Sequence, residues 1–168
     1  GGGQVIDVSL LQTGLYLQGN DLARTLATGN PPPMHDRTAP RNPPWNHYAT
    51  GDERWVMLVM IESQRYWGAF TRAIGRPELE HDPRFEGPVE RYRQSRELVK
   101  ILDAVFALRS LAEWEDELAG HGVIWSPVRR LEETPLDPQA RTMGYFRTVD
   151  HPELGTFETV GPPLQMSE

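Results

Sequence analysis

Residues 54–75 carry the sequence RWVMLVMIESQRYWGAFTRAIG, and this stretch decides the fold. The apolar run over residues 55–61 has a length that suits a strand buried on both faces better than a helix. Glu62 ends the run, Ser63 is the predicted N-cap of a following helix, and Gly75 is its predicted C′ residue. The predicted buried face of this helix contains Tyr66, Trp67, Phe70, Ala73 and Ile74. A strand and helix of this kind need neighbouring segments to cover them, so they are predicted to be the core of one small domain.

The composition excludes several classes of function. The chain has 168 residues, with 24 acidic and 17 basic side chains and a net charge of −7. Because it contains no basic block, neither nucleic acid nor an anionic membrane is expected as a partner. It also has no cysteine, which excludes a thiolate nucleophile and a thiolate metal site. No apolar run is long enough to cross a bilayer and no secretory signal opens the chain, so a cytoplasmic location is expected.

Residues 1–29 are predicted to be a strand and a helix that belong to a larger domain. Residues 5–8 favour a short strand, and Ser9 is the predicted cap of the helix. One apolar stripe runs along this helix, formed by Leu11, Leu15, Leu22 and Leu26. Residues 30–45 contain six prolines and predict an extended linker, so the stripe is expected to pack on a body outside these residues. The Gly1-Gly2-Gly3 start without Met is expected to be a cut end.

Residues 46–160 are predicted to form the small domain, which begins with a polar approach at residues 46–53. A long helix is predicted over residues 89–108, and Ser110 and Glu113 form a capping box that begins another. The predicted buried positions of these two helices are Leu98, Leu102, Val105, Phe106, Leu111, Trp114 and Leu118.

The end of the small domain is predicted to contain a strand, a short helix and a hairpin. Residues 123–125 favour the strand, which Ser126-Pro127 is expected to end. Asp137-Pro138 has the pattern of a helix start. Residues 145–149 and 156–160 have the pattern of paired strands, and residues 161–168 predict the start of a second linker.

Few residues in the chain have the arrangement of a catalytic site. The five histidines, His35, His47, His81, His121 and His151, are far apart, mostly in predicted loops, and show no metal-site spacing, so no metal is predicted. Glu62 differs, because it follows a predicted buried strand and stands at a helix start, where a carboxylate can be held rigidly. The same position also fits a purely structural role. No Ser/His/Asp set and no pair of carboxylates offers another site.

Several segments, taken together in their order and spacing, resemble the family III CoA-transferases of the CaiB/BaiF type, a family that includes the α-methylacyl-CoA racemases. These segments are GQVIDVSLL at 3–11, YATGDERWV at 48–56, AIGRPEL at 73–79, DPRF at 82–85, WSPV at 125–128, DPQAR at 137–141 and DHPELGTFETVGPPLQMS at 150–167. The resemblance covers nearly the whole chain and corresponds to the C-terminal portion of family members.

The resemblance implies an α+β fold. Family members have a large Rossmann-like domain, interrupted by a small domain that two long linkers join to it, and two ring-shaped chains interlock as a homodimer. By this resemblance, residues 46–160 are the small domain, with a short sheet packed on three helices and a C-terminal hairpin. Residues 1–29 then contribute a helix of the large domain, residues 30–45 are the first linker, and residues 161–168 begin the return linker.

The resemblance also implies a chemistry. Family transferases use an aspartate that attacks an acyl-CoA thioester and then passes CoA to a carboxylic acid, with no covalently bound cofactor. That aspartate precedes the segment at 3–11, so the 168 residues alone are expected to be inactive. The candidate substrate-binding residues are Asn46, His47 and Tyr48. Formyl-CoA transferases carry a glycine-rich loop where this chain has DRTAPRNPPWN at 36–46, which argues against a formyl or oxalate specificity.

Two other functions remain open at this point. Racemases of the family have an Ile-Glu-x-Gln stretch whose Glu supports a catalytic His, and Ile61-Glu62-Ser63-Gln64 matches it. Glu62 is therefore the candidate auxiliary catalytic residue, and a racemase is the alternative to a transferase. A non-catalytic docking or dimerisation module, which would expose the leucine stripe, is a third interpretation.

Overall fold

The computed structural model describes residues 3, 5 and 7–163. By their contacts the described residues fall into two units, one that ends at Arg37 and one that begins at Thr38. In the first unit, α1 (Leu10–Leu17) and α2 (Gly19–Thr28) follow each other. The hydroxyl of Ser9 accepts a hydrogen bond from the Gln12 N–H at 3.1 Å, so the predicted cap is confirmed.

The first unit differs from the sequence prediction in two respects. The single predicted helix is divided at Gln18, whose backbone leaves helical geometry (φ −95°, ψ 13°). The predicted strand is wrong at residues 5, 7 and 8, which form no strand, and Ile6 lies outside the described residues. A strand needs a partner for its backbone hydrogen bonds, and the described part of this unit is helical or irregular. Within the unit Leu11, Leu15 and Leu26 are exposed and Leu22 is half-buried.

The second unit is built around a small antiparallel sheet. Its strands are β1 (His47–Ala49), β2 (Trp55–Leu58) and β3 (Trp125–Pro127), with β2 in the centre. In the sheet Tyr48 pairs with Val56, and Val56 pairs with Pro127.

Burial along β2 alternates, which corrects the prediction of a strand buried on both faces. Val56, Leu58 and Met60 are fully buried, whereas Trp55 is 37% exposed and Ile61 is 64% exposed. One face of an antiparallel sheet can remain partly open to solvent, and here the core lies against the other face.

Helices α3 (Ser63–Ala73), α5 (Ser95–Phe106) and α6 (Leu111–Ala119) share one core with the sheet. The predicted apolar face of α3 is confirmed, with Tyr66 partly buried and the other four residues buried. The N-cap of α3 is Glu62, not Ser63, which is the first residue of the helix and is buried. The left-handed backbone at Gly75 (φ 70°) confirms the predicted end.

The long helix predicted over residues 89–108 is two helices, α4 (Pro88–Arg93) and α5. Gln94 separates them, with φ −102° and ψ 23°. All seven predicted buried positions of α5 and α6 are buried. The capping box is also confirmed, since Glu113 accepts from the Ser110 N–H at 2.8 Å and the Ser110 hydroxyl accepts from the Glu113 N–H at 3.4 Å.

Beyond α6 the chain forms β3, α7 (Pro138–Thr142) and a hairpin of β4 (Phe146–His151) and β5 (Gly155–Val160). The strand predicted at 123–125 lies two residues later, because Pro127, which lacks an N–H, is tolerated in an edge strand. The predicted α7 start is confirmed, since Asp137 accepts from the Ala140 N–H at 2.8 Å. Short 3₁₀ helices occupy Pro77–His81 and Leu131–Leu136.

Residues 30–45 contain no helix or strand, and residues 38–45 belong to the second unit, where they pack within it. Pro40, Pro43 and Pro44 are buried. The Tyr48 hydroxyl donates to the Pro43 carbonyl at 2.8 Å, and the Met60 N–H donates to the Pro44 carbonyl at 3.1 Å. The division into a large-domain helix, linkers and a small domain stays a prediction. No helix among residues 7–163 has the length and apolar character needed to cross a membrane.

Candidate functional site

Glu62 stands between the end of the segment that extends β2 and the start of α3. Its side chain is exposed and accepts no hydrogen bond from the first turn of α3. The backbone carbonyl of Glu62 accepts from the Arg65 N–H at 3.0 Å, which closes the first turn. A carboxylate at this end of a helix lies in the positive field of the helix dipole and can accept a hydrogen bond from an incoming group.

The backbone just before Glu62 is held by Asn42. Its side-chain amide donates to the carbonyls of Met60 at 2.9 Å and Ile61 at 3.2 Å. The same segment is also tied through its backbone, because the Leu58 N–H donates to the Asn46 carbonyl at 2.9 Å. Residues 42–46 therefore form a fixed loop against residues 58–61, the segment that leads directly to Glu62.

Two side chains just after Glu62 are contacted by Arg91, which is only 1% exposed. One terminal nitrogen of its guanidinium donates to Gln64 Oε1 at 2.6 Å and lies 3.5 Å from the Ser63 hydroxyl. The other donates to the carbonyls of Phe85 at 2.7 Å and Glu86 at 3.2 Å. Arg91 thus connects the first turn of α3 to the segment before α4.

The electrostatic setting of Arg91 is unusual for a buried cation. Among the described residues no carboxylate forms an ion pair with it, and its charge lies 4.5 Å from the ring centre of Trp67. Burial lowers the pKa of Arg91 to about 10, while the nearby carboxylate of Glu90 acts in the opposite direction. At neutral pH the guanidinium therefore keeps its charge, surrounded by neutral acceptors.

The three predicted substrate-binding residues lie at the start of β1. Asn46 is buried, and its carbonyl joins it to the segment that leads to Glu62. Tyr48 is fully buried and stacks on Phe106, with 5.2 Å between ring centres. His47 is half-buried on the other face of the strand, 5.3 Å from the ring of Trp55. The backbone of Asn46 is therefore bonded to the segment that leads to Glu62, whereas the ring of His47 lies beside Trp55 and the ring of Tyr48 lies in the core. The substrate-binding role of all three residues stays a prediction.

The histidines do not converge. His47 lies in β1 and His151 in β4, rather than in loops. The Nδ1 atom of His151 accepts from the N–H groups of Glu153 and Leu154, at 3.2 Å each, and so closes the hairpin turn. Within residues 7–163 no group of three or more His, Cys, Asp or Glu side chains is arranged to hold a metal ion.

Comparison with known proteins gives this geometry its context. The sequence model of CoA-transferase family III matches residues 1–168. The chain belongs to this family. A solved structure of a CaiB/BaiF family protein from Brucella suis matches 99% of the chain with a TM-score of 0.77 and 22% identity, so the two share a fold over the matched part. The chain covers 42% of that structure.

Two curated relatives are named as CoA-transferases. (R)-2-Hydroxy-4-methylpentanoate CoA-transferase of Clostridioides difficile is 28% identical over 140 residues, which is 83% of this chain and 35% of that enzyme. Formyl-CoA:oxalate CoA-transferase of Streptomyces avermitilis is 33% identical over 104 residues, or 61% of this chain and 25% of that enzyme. The chain thus spans between a quarter and about a third of the length of these relatives.

Sequence reasoning proposed Glu62, whose role stays a prediction, and gave no signal for Asn42 and Arg91. Asn42 lies within a run of prolines, and Arg91 lies among the charged residues ERYR of a short helix, where an arginine is normally solvated. Both bind to segments far away along the chain, 18 residues or more, so local periodicity carries no signal for them.

Proposed function

We propose that these 168 residues are part of an acyl-CoA:carboxylate CoA-transferase, with a CoA thioester and a free carboxylic acid as substrates. The observation that carries this proposal is the family match over the entire chain, together with relatives named as CoA-transferases. In this proposal the attacking aspartate lies outside the 168 residues, which alone are inactive. The complete protein acts as a homodimer.

The reaction proposed for the complete protein has two acyl exchanges. The aspartate carboxylate attacks the thioester carbonyl, the carbon–sulfur bond breaks and CoA leaves as a thiolate, giving an acyl-aspartyl anhydride. The thiolate then attacks the aspartyl carbonyl of this anhydride, which releases the first acid and leaves an aspartyl-CoA thioester. The acceptor acid then attacks the aspartyl-CoA thioester, and the same two exchanges in reverse order give the new acyl-CoA and the free aspartate.

The role proposed for the present residues is to line one side of the reacting centre. Glu62 supplies an exposed carboxylate that accepts a hydrogen bond, and the fixed loop of residues 42–46 borders it. Asn46, His47 and Tyr48 are proposed to shape the substrate-binding side of this loop, Tyr48 from within the core.

The test is CoA exchange by the complete protein. An acyl-CoA is incubated with a panel of free acids that includes 2-hydroxy-4-methylpentanoate, oxalate and glutarate, and new CoA thioesters are detected by mass spectrometry. We expect exchange with at least one acid, and none with the 168 residues alone. No exchange by the complete protein across a broad panel would refute the proposal.

A second candidate function, an α-methylacyl-CoA racemase, is favoured by Ile61-Glu62-Ser63-Gln64 alone. Racemisation through an enolate requires a base and an acid at the α-carbon. It predicts that deuterium from the solvent enters the α-carbon of an acyl-CoA without any change of acyl partner. If Glu62→Gln leaves this wash-in unchanged, Glu62 has no part in it.

A third candidate is a docking or dimerisation module. It is favoured by the exposed leucines of α1 and α2. It predicts that the 168 residues alone self-associate, and that Leu11→Asp with Leu26→Asp makes them monomeric in light scattering. A monomeric unsubstituted chain would refute it.

A further inference from the structure

Glu62 is the one carboxylate of the predicted site, and side chains from other segments bind the residues on both sides of it. Asn42 holds the two carbonyls that precede it, at 2.9 and 3.2 Å. Arg91 holds the first turn that follows it, chiefly through Gln64 Oε1 at 2.6 Å. These contacts leave the Glu62 side chain itself exposed and unbonded to its own helix.

The surroundings of Arg91 indicate that this arrangement serves more than stability. A buried cation without a carboxylate partner is costly, and apolar side chains of similar volume commonly stabilise a core as well or better. The guanidinium instead directs its terminal nitrogens to four neutral oxygens, two of which belong to the first turn of α3. Its Nε has no hydrogen-bond partner among the described residues, so the guanidinium leaves one of its hydrogen-bond donors unused.

The position of Asn42, on the side that precedes Glu62, also indicates a role beyond stability. Strand β2 ends at Leu58, and beyond it the Val59 N–H donates to the Ile124 carbonyl at 2.9 Å and the Met60 N–H donates to the Pro44 carbonyl at 3.1 Å. The amide of Asn42 adds two bonds to this segment, at the carbonyls of the two residues directly before Glu62. A carboxylate that follows an irregular segment would otherwise sample several directions, and loss of about 1 Å in placement costs on the order of 100-fold in rate.

We propose that Asn42 and Arg91, the latter through Gln64, are positioning residues that set the direction of the Glu62 carboxylate in the catalysed reaction. This inference rests on the proposed CoA-transferase function. In this proposal none of the three touches the reacting atoms: Asn42 acts through the backbone before Glu62, and Arg91 acts through the Gln64 side chain after it.

The test is a double-mutant cycle in the complete protein, with CoA exchange as the assay. Glu62→Gln removes the negative charge of the carboxylate and its capacity to take up a proton. It is expected to lower kcat about 100-fold. Gln64→Ala and Asn42→Ala are each expected to lower kcat about 10-fold and to change KM less than about twofold. In the Glu62→Gln background, Gln64→Ala is expected to have no further effect, because the group it positions is absent.

Two controls separate positioning from stability. Gln139→Ala removes an exposed glutamine from the same position in the first turn of α7 and is expected to leave kcat unchanged. Arg91→Met removes a buried cation together with its hydrogen bonds and is expected to lower stability. Arg91→Lys, which keeps the charge, therefore accompanies it, and thermal melts are recorded for every variant. Arg91→Lys is expected to recover part of the kcat that Arg91→Met loses.

The outcomes are distinct. Equal losses from Gln64→Ala with and without Glu62→Gln would overturn the positioning proposal, as would unchanged kcat in both Gln64→Ala and Asn42→Ala. If Glu62→Gln itself leaves kcat unchanged while the unsubstituted protein exchanges CoA, the positioning proposal is overturned and the transferase function stands. If the unsubstituted protein exchanges no CoA, the proposed CoA-transferase function is refuted, and the positioning proposal that rests on it is overturned with it.

Discussion

Replacement of Gly51 by alanine is expected to destabilise the second unit, because a Cβ there meets backbone. Gly51 lies in the turn between β1 and β2, and its N–H donates to the Arg109 carbonyl at 2.7 Å. A Cβ at this position would lie 2.7 Å from the Ala107 carbonyl oxygen and 3.2 Å from that of Arg109. Real Cβ atoms essentially never come within 3.0 Å of another atom, so the turn must move away from the α5–α6 connection.

The expected loss is about 2 kcal/mol in the free energy of unfolding. Overpacking of this kind costs about 1–3 kcal/mol, and a weakened hydrogen bond from Gly51 adds about 1 kcal/mol. Reduced entropy of the unfolded chain returns about 0.4–1 kcal/mol. For a chain of this size, about 2 kcal/mol corresponds to a fall of about 4–8 °C in Tm.

Urea unfolding followed by tryptophan fluorescence measures this loss, because all five tryptophans lie in the second unit. Gly68→Ala is the matched control. Its Cβ meets only the carboxylate of Glu80, which can rotate away from its exposed pairing with Arg72, and alanine favours the helix by about 1 kcal/mol. Equal stability of Gly51→Ala and the unsubstituted chain, or an equal loss in Gly68→Ala, would refute the reasoning.

Three further predictions concern the same unit. The pKa of Asp52 is lowered by a hydrogen bond from the threonine hydroxyl two residues earlier and, to a smaller extent, by one from the N–H of Leu111. Its contribution to stability is therefore present above the unfolded pKa of about 4 and is lost as the pH falls further. Asp52→Asn should reduce this loss of stability at low pH, measured by urea titrations at stepwise pH. Ser110→Ala should cost about 1 kcal/mol in the same assay, since it removes the capping box of α6, and a loss no greater than at an exposed serine would contradict this. Leu102→Ala, in the core, should cost about 2–5 kcal/mol, whereas the exposed Leu108→Ala should cost little; similar losses at both would contradict the burial pattern.

The helices of the second unit were predictable because their signals are local. The apolar periodicity of residues 66–74 and the capping box at Ser110 depend on neighbours three or four residues away, and both are confirmed. The left-handed Gly75 is confirmed for the same reason.

The errors arise where tertiary context decides. The seven apolar residues at 55–61 suggested burial on both faces. Which face of the strand the core covers depends on the segments that pack against the sheet, and these lie elsewhere in the sequence. Pro127 reads as a strand end until the strand is known to lie at the edge of the sheet. At the candidate site, Glu62 was proposed from its local position and stays a prediction, whereas the contacts of Asn42 and Arg91 span long sequence separations and could not be predicted.

The hairpin of β4 and β5 has a consequence for local motion. Among the described residues its two strands pair only with each other, every residue of β5 is exposed, and the ion pair between Arg141 and Glu158 connects the hairpin to α7. An isolated two-stranded ribbon is marginally stable in water. Its amide protons should therefore exchange with solvent through local opening, orders of magnitude faster than those of β2, which release only when the core unfolds.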